Sequence, residues 1–309
     1  MMETTENITV VSTRKFVDVS KMAFLLAIMI AVFAIISSSI GLFWKTEGET
    51  FIFETLRGET VEIFGKGIYK YDSIFLASAF QGQDAVIIFL GVPLLIVSLV
   101  SYMKKSLRWS LFLSGIAAYF LYVYISTEFG AAYNRLFLVY VSLFSLSFFF
   151  FILIFSSIKL DNLRKDEINN LPRFGPAIFM FVSGLVTLFI WLEPLIGSIS
   201  EGTAPELLDG YTTMVTDALD LGIIIPLTIV SGILILRKKP LGYKIAFPLL
   251  GIILLLLPTI TLTTFIQLHN GVTFTMPEII GPISGFSGLG VLSLIIMIII
   301  LRKLPSTKT

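Results

Sequence analysis

Eight apolar runs, at 21–44, 85–103, 107–128, 136–158, 175–198, 217–236, 243–266 and 283–301, dominate this chain. Each is about as long as the roughly 20 residues that a helix needs to cross a hydrocarbon core about 30 Å thick. Inside such a core every backbone N–H and C=O must find its partner within the protein, which leaves helices or a closed barrel. Barrel strands alternate apolar and polar residues over about ten positions, whereas these runs are continuous. The expected fold is therefore an all-α integral membrane protein, an eight-helix bundle, and the 56% hydrophobic content is far above a globular composition.

The links between the runs alternate in charge. Of 22 Lys and Arg residues, 17 fall in five segments: Arg14, Lys15 and Lys21; Lys104, Lys105 and Arg108; Lys159, Arg164, Lys165 and Arg173; Arg237, Lys238, Lys239 and Lys244; Arg302, Lys303 and Lys308. The intervening segments hold only Lys45, Arg57, Lys66, Lys70 and Arg135, yet carry 15 of the 21 carboxylates. By the positive-inside rule the basic segments are expected to be cytoplasmic, with both termini inside, in a prokaryotic cytoplasmic membrane. The apolar run from Met22 is too long for a signal-peptide core and is expected to be retained as the first span.

This organisation divides the chain into an N-terminal segment 1–20, a four-helix half 21–158, a cytoplasmic linker 159–174, a second four-helix half 175–301 and a tail 302–309. Within the first half, the outer loop 45–84 is long enough for structure of its own. Thr50–Leu56 and Glu59–Phe64 flank Arg57-Gly58 and predict a β-hairpin. The stretch Ser73–Phe80 predicts a separate short helix on the membrane surface or capping the bundle.

The second span of each half carries a matching pattern. Asp84-Ala85-x7-Pro93-Leu94-x-Ile96-Val97-Ser98-x6-Lys105 aligns without a gap to Asp217-Ala218-x7-Pro226-Leu227-x-Ile229-Val230-Ser231-x6-Lys238. Duplication would make the halves parallel repeats about an axis along the membrane normal. Chance agreement in low-complexity apolar sequence is the competing account.

Residue inventory excludes much chemistry. Without cysteine there are no disulfides, thiolate nucleophiles or iron–sulfur clusters. With His269 as the only histidine, zinc sites built from several histidines are excluded too. The sequence holds no P-loop, G-x-S-x-G elbow or H-E-x-x-H motif, and no metal or cofactor is implied. The basic segments are topological signals facing anionic membrane lipid, and nucleic-acid binding is unsupported.

Ionisable groups are costly in hydrocarbon, so those at or inside the spans are the candidates for function. Glu193, in Trp191-Leu192-Glu193-Pro194, is the expected ionisable switch; a headgroup-facing carboxylate beside an interfacial tryptophan is the plain alternative. Asp84 and Asp217 open their spans, where helix capping would also account for them. Asp220, one turn beyond Asp217, is expected to line a pocket. The hairpin between spans three and four gathers Tyr119, Tyr122, Tyr124, Glu128, Tyr133, Asn134, Arg135 and Tyr140. These residues read either as an interfacial aromatic belt or as the wall of a ligand pocket in which Arg135 holds an anionic group. An ion pair between Glu128 and Arg135 across the tight turn is expected. His269 reads as an outer-loop residue, and Gly281, Gly285, Gly288 and Gly290 as a helix-packing surface.

Three stretches carry a resemblance: Gln83-Asp84 with Gly91-Val-Pro-Leu-Leu95; Tyr119–Tyr124 with Phe129-Gly-Ala-Ala-Tyr-Asn134 and Leu143–Ser147; and Asp220-Leu-Gly222 through Pro226 to Arg237–Tyr243. Over roughly residues 60–245 the chain resembles a family of prokaryotic multi-pass membrane proteins of uncharacterised activity. The resemblance implies membrane residence and draws attention to Asp84, Asn134 and Asp220. The expected function is binding or transport of a small amphipathic or lipid-like molecule in an outward-facing polar pocket formed by Glu193, Asp84, Asp220, Tyr122, Asn134 and Arg135. The alternatives are an intramembrane enzyme with paired carboxylates acting on a lipid, or a non-catalytic assembly or sensory partner that docks a protein on its outer loop.

Overall fold

The computed structural model describes residues 14–276, 279 and 283–305; the sequence-stretch 1–13, Gly281 and Lys308 lie outside the described residues. Among the described residues, eight helices are long and apolar enough to cross a membrane: α1 Lys21–Phe43, α2 Ile74–Met103, α3 Leu107–Gly130, α4 Phe137–Ser157, α5 Phe174–Glu201, α6 Val215–Leu236, α7 Pro240–His269 and α8 Ser284–Lys303. The chain is a multi-pass membrane protein by the length and composition of these helices.

Helix α1 shows how such a sequence packs. Ala23, Ala27, Ala31, Ala34, Ser38 and Gly41 are buried, while Phe24, Leu25, Ile28 and Val32 are exposed. In lipid, large side chains gain nothing by turning inward, and small ones let backbones approach. The small stripe therefore faces the bundle.

α1 and α4 pack together, and α1–α2, α2–α3 and α3–α4 are neighbours; α5–α6, α6–α7, α7–α8 and α5–α8 repeat the ring in the second half. The halves meet through α7, which packs against both α2 and α3. In α3, 78% of the spanning stretch is buried and in α7 56%, against at most 44% elsewhere, so these two form the centre. At their crossing, a Cβ on Gly115 would stand 2.9 Å from the Gly251 Cα. Only glycine permits that approach. Central burial also explains why α3 can carry Ser110, Ser114, Tyr119, Tyr124 and Thr127, all buried: no lipid sees them.

On one face, β1 (Phe51–Glu54) and β2 (Thr60–Ile63) form the expected antiparallel hairpin, pairing Phe51 with Ile63 and Glu54 with Thr60. The expected separate helix at Ser73–Phe80 is instead the start of α2, capped by the Ser73 hydroxyl, which accepts from the Leu76 N–H. Polar groups of α7 and its C-terminal cap hold it in line. Gln267 Nε2 donates to the Phe75 carbonyl at 3.1 Å, Thr263 Oγ1 to the Ala79 carbonyl at 3.2 Å, and Asn270 Nδ2 to Ser78 Oγ at 2.9 Å. His269 is likewise not a loop residue but the last residue of α7, and it is exposed.

The opposite face carries the basic links. Arg14 forms a two-pronged pair with Glu167 at 2.6 and 2.9 Å, and Asn162 Nδ2 donates to the Lys15 carbonyl at 2.6 Å. Segment 159–174 thus includes a helical turn, Lys165–Asn169, tied to the N-terminal segment. It also reaches the second half, where Lys238 Nζ donates to Asn169 Oδ1 at 2.9 Å.

Candidate functional site

Proline shapes both helices that carry the span-opening aspartates. A proline lacks the N–H for the bond to the carbonyl four residues back, and its ring crowds that carbonyl. Just before Pro93, α2 widens into a π turn at Ile87–Gly91; just before Pro226, α6 does the same at Asp220–Ile224. The bonding is equivalent step by step. The Ile87 N–H is shared between the Gln83 and Asp84 carbonyls, and the Val92 N–H bonds the Ile87 carbonyl. The Asp220 N–H is shared between Thr216 and Asp217, and the Ile225 N–H bonds the Asp220 carbonyl. Both helices then end at a lysine in left-handed backbone, Lys105 at φ 60° and Lys238 at φ 55°. A π turn inside an α-helix frequently marks a functional position.

In α6 the π turn opens with Asp220, which is 5% exposed. Tyr122 Oη donates to its Oδ1 at 3.1 Å and Trp191 Nε1 to its Oδ2 at 2.8 Å. This carboxyl lies on the wall of a cavity of about 260 Å³, with Gln83, Thr259 and Thr263 among its other polar groups and Phe75 and Phe286 among its apolar ones. An adjoining cavity of about 240 Å³, sharing Gln83, Trp191 and Thr216, runs beneath Leu207–Thr216 and reaches Asp217. Asp217 is 3% exposed, and its Oδ2 has no hydrogen-bond partner among the described residues. Among the described residues no lysine, arginine or histidine lines either cavity, so the charge they present is acidic. Tyr122 is also on the wall of a wholly apolar groove of about 360 Å³ between the halves, lined by Phe144, Phe148, Phe151 and Phe155.

Asp84, equivalent in register to Asp217, is enclosed differently. Its Oδ2 accepts from Tyr69 Oη at 2.7 Å. Ser38, Tyr124 and Tyr140 surround the pair, and all are buried. A Cβ on Gly41 would collide with the Asp84 carboxyl, so the absence of that Cβ makes its seat.

A fourth buried carboxylate closes the hairpin face. Asp72, 1% exposed, accepts from the Ala132 N–H at 2.7 Å and from Tyr211 Oη at 2.8 Å, both on Oδ1. Burial pushes its carboxyl up to about 7 and pushes the Tyr211 phenol up as well. At the β-hairpin tip, Arg57 donates to the Asp209 and Tyr211 carbonyls. Together these contacts hold the α5–α6 loop over the cavities.

Of the six residues expected to form one pocket, the cavities unite Asp220 and Tyr122. Asp84 sits in its own enclosure. Glu193 is exposed and lines none of these cavities; its neighbour Trp191 faces inward instead. Asn134 folds onto its own turn, with Oδ1 accepting from the Leu136 N–H at 2.9 Å. Arg135 is exposed, and among the described residues it forms no ion pair with Glu128, the expected partner. Acidity of the cavity also leaves no place for the anionic group that Arg135 was expected to hold. The carboxylates on which acid–base catalysis would draw, Glu193, Asp84 and Asp220, do not converge. Sequence reasoning missed Trp191 as a cavity residue and Tyr69, Asp72 and Tyr211 altogether; the Pro93/Pro226 register was the signal that pointed nearest to the site.

No family model, curated protein or solved structure matches the chain, and the resemblance carried by its three stretches therefore adds no activity to this geometry.

Proposed function

We propose that the protein binds or transports a small amphipathic molecule whose head group is cationic or rich in hydrogen-bond donors. The observation that carries this reading is the Asp220 carboxyl, held by Tyr122 and Trp191 on the wall of a partly open cavity that no basic side chain among the described residues lines. A carboxylate on a mostly apolar cavity wall favours a positive or donating partner over an anion. Adjoining cavities of about 260 and 240 Å³ suit a small ligand. The phenylalanine-lined groove across Tyr122 offers an apolar tail a place beside the lipid.

The basic face is assigned to the cytoplasm, with both termini inside, in a prokaryotic cytoplasmic membrane, and the hairpin face to the outside. The charge bias of the links supports that orientation. Parallel duplication of a four-helix unit is supported by the equivalent π turns, the left-handed lysines and the repeated neighbour ring. As the chain has no cysteine, a single cysteine at Thr46 should react with an impermeant maleimide added outside intact cells; reaction only after lysis would reverse the orientation.

Trp191 supplies the binding test. In a background with Trp44 and Trp109 replaced by Phe, its fluorescence should respond saturably to a single-chain alkyl amine, weakly to the matching alcohol and least to the matching carboxylate. The preference for amine should collapse in Asp220→Asn. Equal response to amine and carboxylate, or retention of the preference in Asp220→Asn, would remove this reading. Native mass spectrometry of gently extracted protein would then identify the natural occupant.

A further inference from the structure

We propose that the enclosure around Asp84 is a binding site for a small monovalent cation, with Na⁺ as its first candidate. The site is separate from the Asp220 cavities and does not depend on what they bind.

The argument begins with charge. Asp84 is buried in the upper part of α2, and no lysine, arginine or histidine among the described residues faces it: its polar neighbours are Tyr69 and Ser38, with Tyr124 and Tyr140 beyond them. An ionised carboxylate isolated in hydrocarbon costs many kcal/mol, so such groups are paired, coordinated or neutralised. One carboxylate balances one positive charge. A divalent ion would leave an unpaired charge in the bundle, which is why the site is assigned to a monovalent one.

The surrounding oxygens provide the second, independent observation. Ser38 Oγ, Tyr124 Oη and Tyr140 Oη are all buried and interact with Asp84, Tyr69 or one another, yet none of the three oxygens makes a hydrogen bond of good geometry among the described residues. Three buried hydroxyls left with poorly aligned hydrogen bonds around one carboxylate are expensive for a network that had nothing else to satisfy. For a hard cation they are ligands: with the Asp84 carboxylate and Tyr69 Oη they make an all-oxygen set of the type that alkali and alkaline-earth ions prefer. The set is also built from three sources, α1 (Ser38), the loop before α2 (Tyr69) and the α3–α4 pair (Tyr124, Tyr140). Gly41 leaves the space for the carboxyl at their meeting point. An ion there would clamp α1 to the rest of its half.

The test uses the full chain in detergent, titrated with NaCl against choline chloride at constant ionic strength, and reads thermal unfolding together with ²²Na⁺ binding. Saturable stabilisation and binding by Na⁺, absent with choline, are expected. Asp84→Asn, which keeps shape and removes the charge, should abolish both. Tyr124→Phe, which keeps the ring and removes one ligand, should weaken the Na⁺ midpoint by about tenfold, the equivalent of one contact. Should Asp84→Asn fail to fold, Tyr124→Phe carries the test. Equal stabilisation by Na⁺ and choline, undiminished Na⁺ response in Asp84→Asn, or an unchanged midpoint in a folded Tyr124→Phe would overturn the proposal and leave a protonated carboxyl as the neutral form. Asp220→Asn should leave the Na⁺ response intact.

Discussion

Helices α2 and α6 meet the same local problem, a proline in the interior of a membrane helix, and solve it with the same π turn in the same register. Their surroundings nevertheless make different things of it. Around α2, the loop that precedes the helix folds back so that Tyr69 covers Asp84, and α1 brings Ser38 and Gly41 against it. Around α6, the preceding loop sends its tyrosine, Tyr211, across to Asp72 of the first half. Asp220 is then held by Trp191 and Tyr122 and Asp217 only by its neighbour Thr216, and cavities remain beside them. Backbone geometry places a carboxylate; the partner helices decide whether it is sealed or open.

The largest effect expected from this contrast is steric. Gly41→Val should force the Asp84 carboxyl out of its seat and destabilise the fold by on the order of 3 kcal/mol, whereas Gly222→Ala in the α6 π turn, where a Cβ meets nothing within 4 Å, should stay within about 1 kcal/mol of the parent. Thermal unfolding of the two purified variants checks this, and comparable losses would erase the distinction between sealed and open.

Next in size is a pH effect on the loop clamp. The Asp72 carboxyl titrates near 7 in the folded protein because it is buried, against about 3.9 in an unfolded chain. Between those values the folded state holds more protons than the unfolded one, so stability should fall as pH rises from about 4 to about 7 and level off above, by at most about 1.4 kcal/mol per pH unit from this group. Asp72→Asn should flatten that slope, read by thermal unfolding at pH 5 and pH 8. A slope unchanged in the variant would assign the titration elsewhere.

Phenol deletions sharpen the same comparison. Tyr69→Phe strips Asp84 of its one well-formed hydrogen bond and should cost about 2 kcal/mol, while Tyr122→Phe leaves Asp220 its Trp191 donor and should cost about 1 kcal/mol. Denaturant titration of both variants ranks them; the reverse order would mean that Asp220 is the more tightly enclosed. The smallest effect concerns the helix ends. Lys105→Gly and Lys238→Gly each relieve a left-handed residue and should stabilise by similar amounts, up to about 1 kcal/mol. Opposite signs would argue that the two ends are not equivalent.

Much of this architecture was legible from residue order. Continuous apolar runs fix eight helices because lipid leaves the backbone no other way to satisfy itself, and Arg57-Gly58 between two alternating stretches marks the hairpin. The matching register of Pro93 and Pro226 marks where paired distortions could form, but Pro194, Pro248 and Pro258 sit inside α-helices without a π turn, so proline alone did not decide it. Sequence alone misjudged Ser73–Phe80, because a surface helix and the first turns of a long one have the same composition; only Gln267 and Thr263 on α7 and Asn270 at its C-terminal cap decide between them. It misplaced Glu193 for a similar reason. A carboxylate near a span's end can face any direction, and the rotation of α5 that turns Trp191 inward turns Glu193 out. What residue order determined is what each segment must do alone: span, turn, or break. What only the tertiary structure decided is which side chains share an enclosure, because burial, and with it the chemistry of Asp84, Asp217 and Asp220, is a property of the neighbours that packing brings.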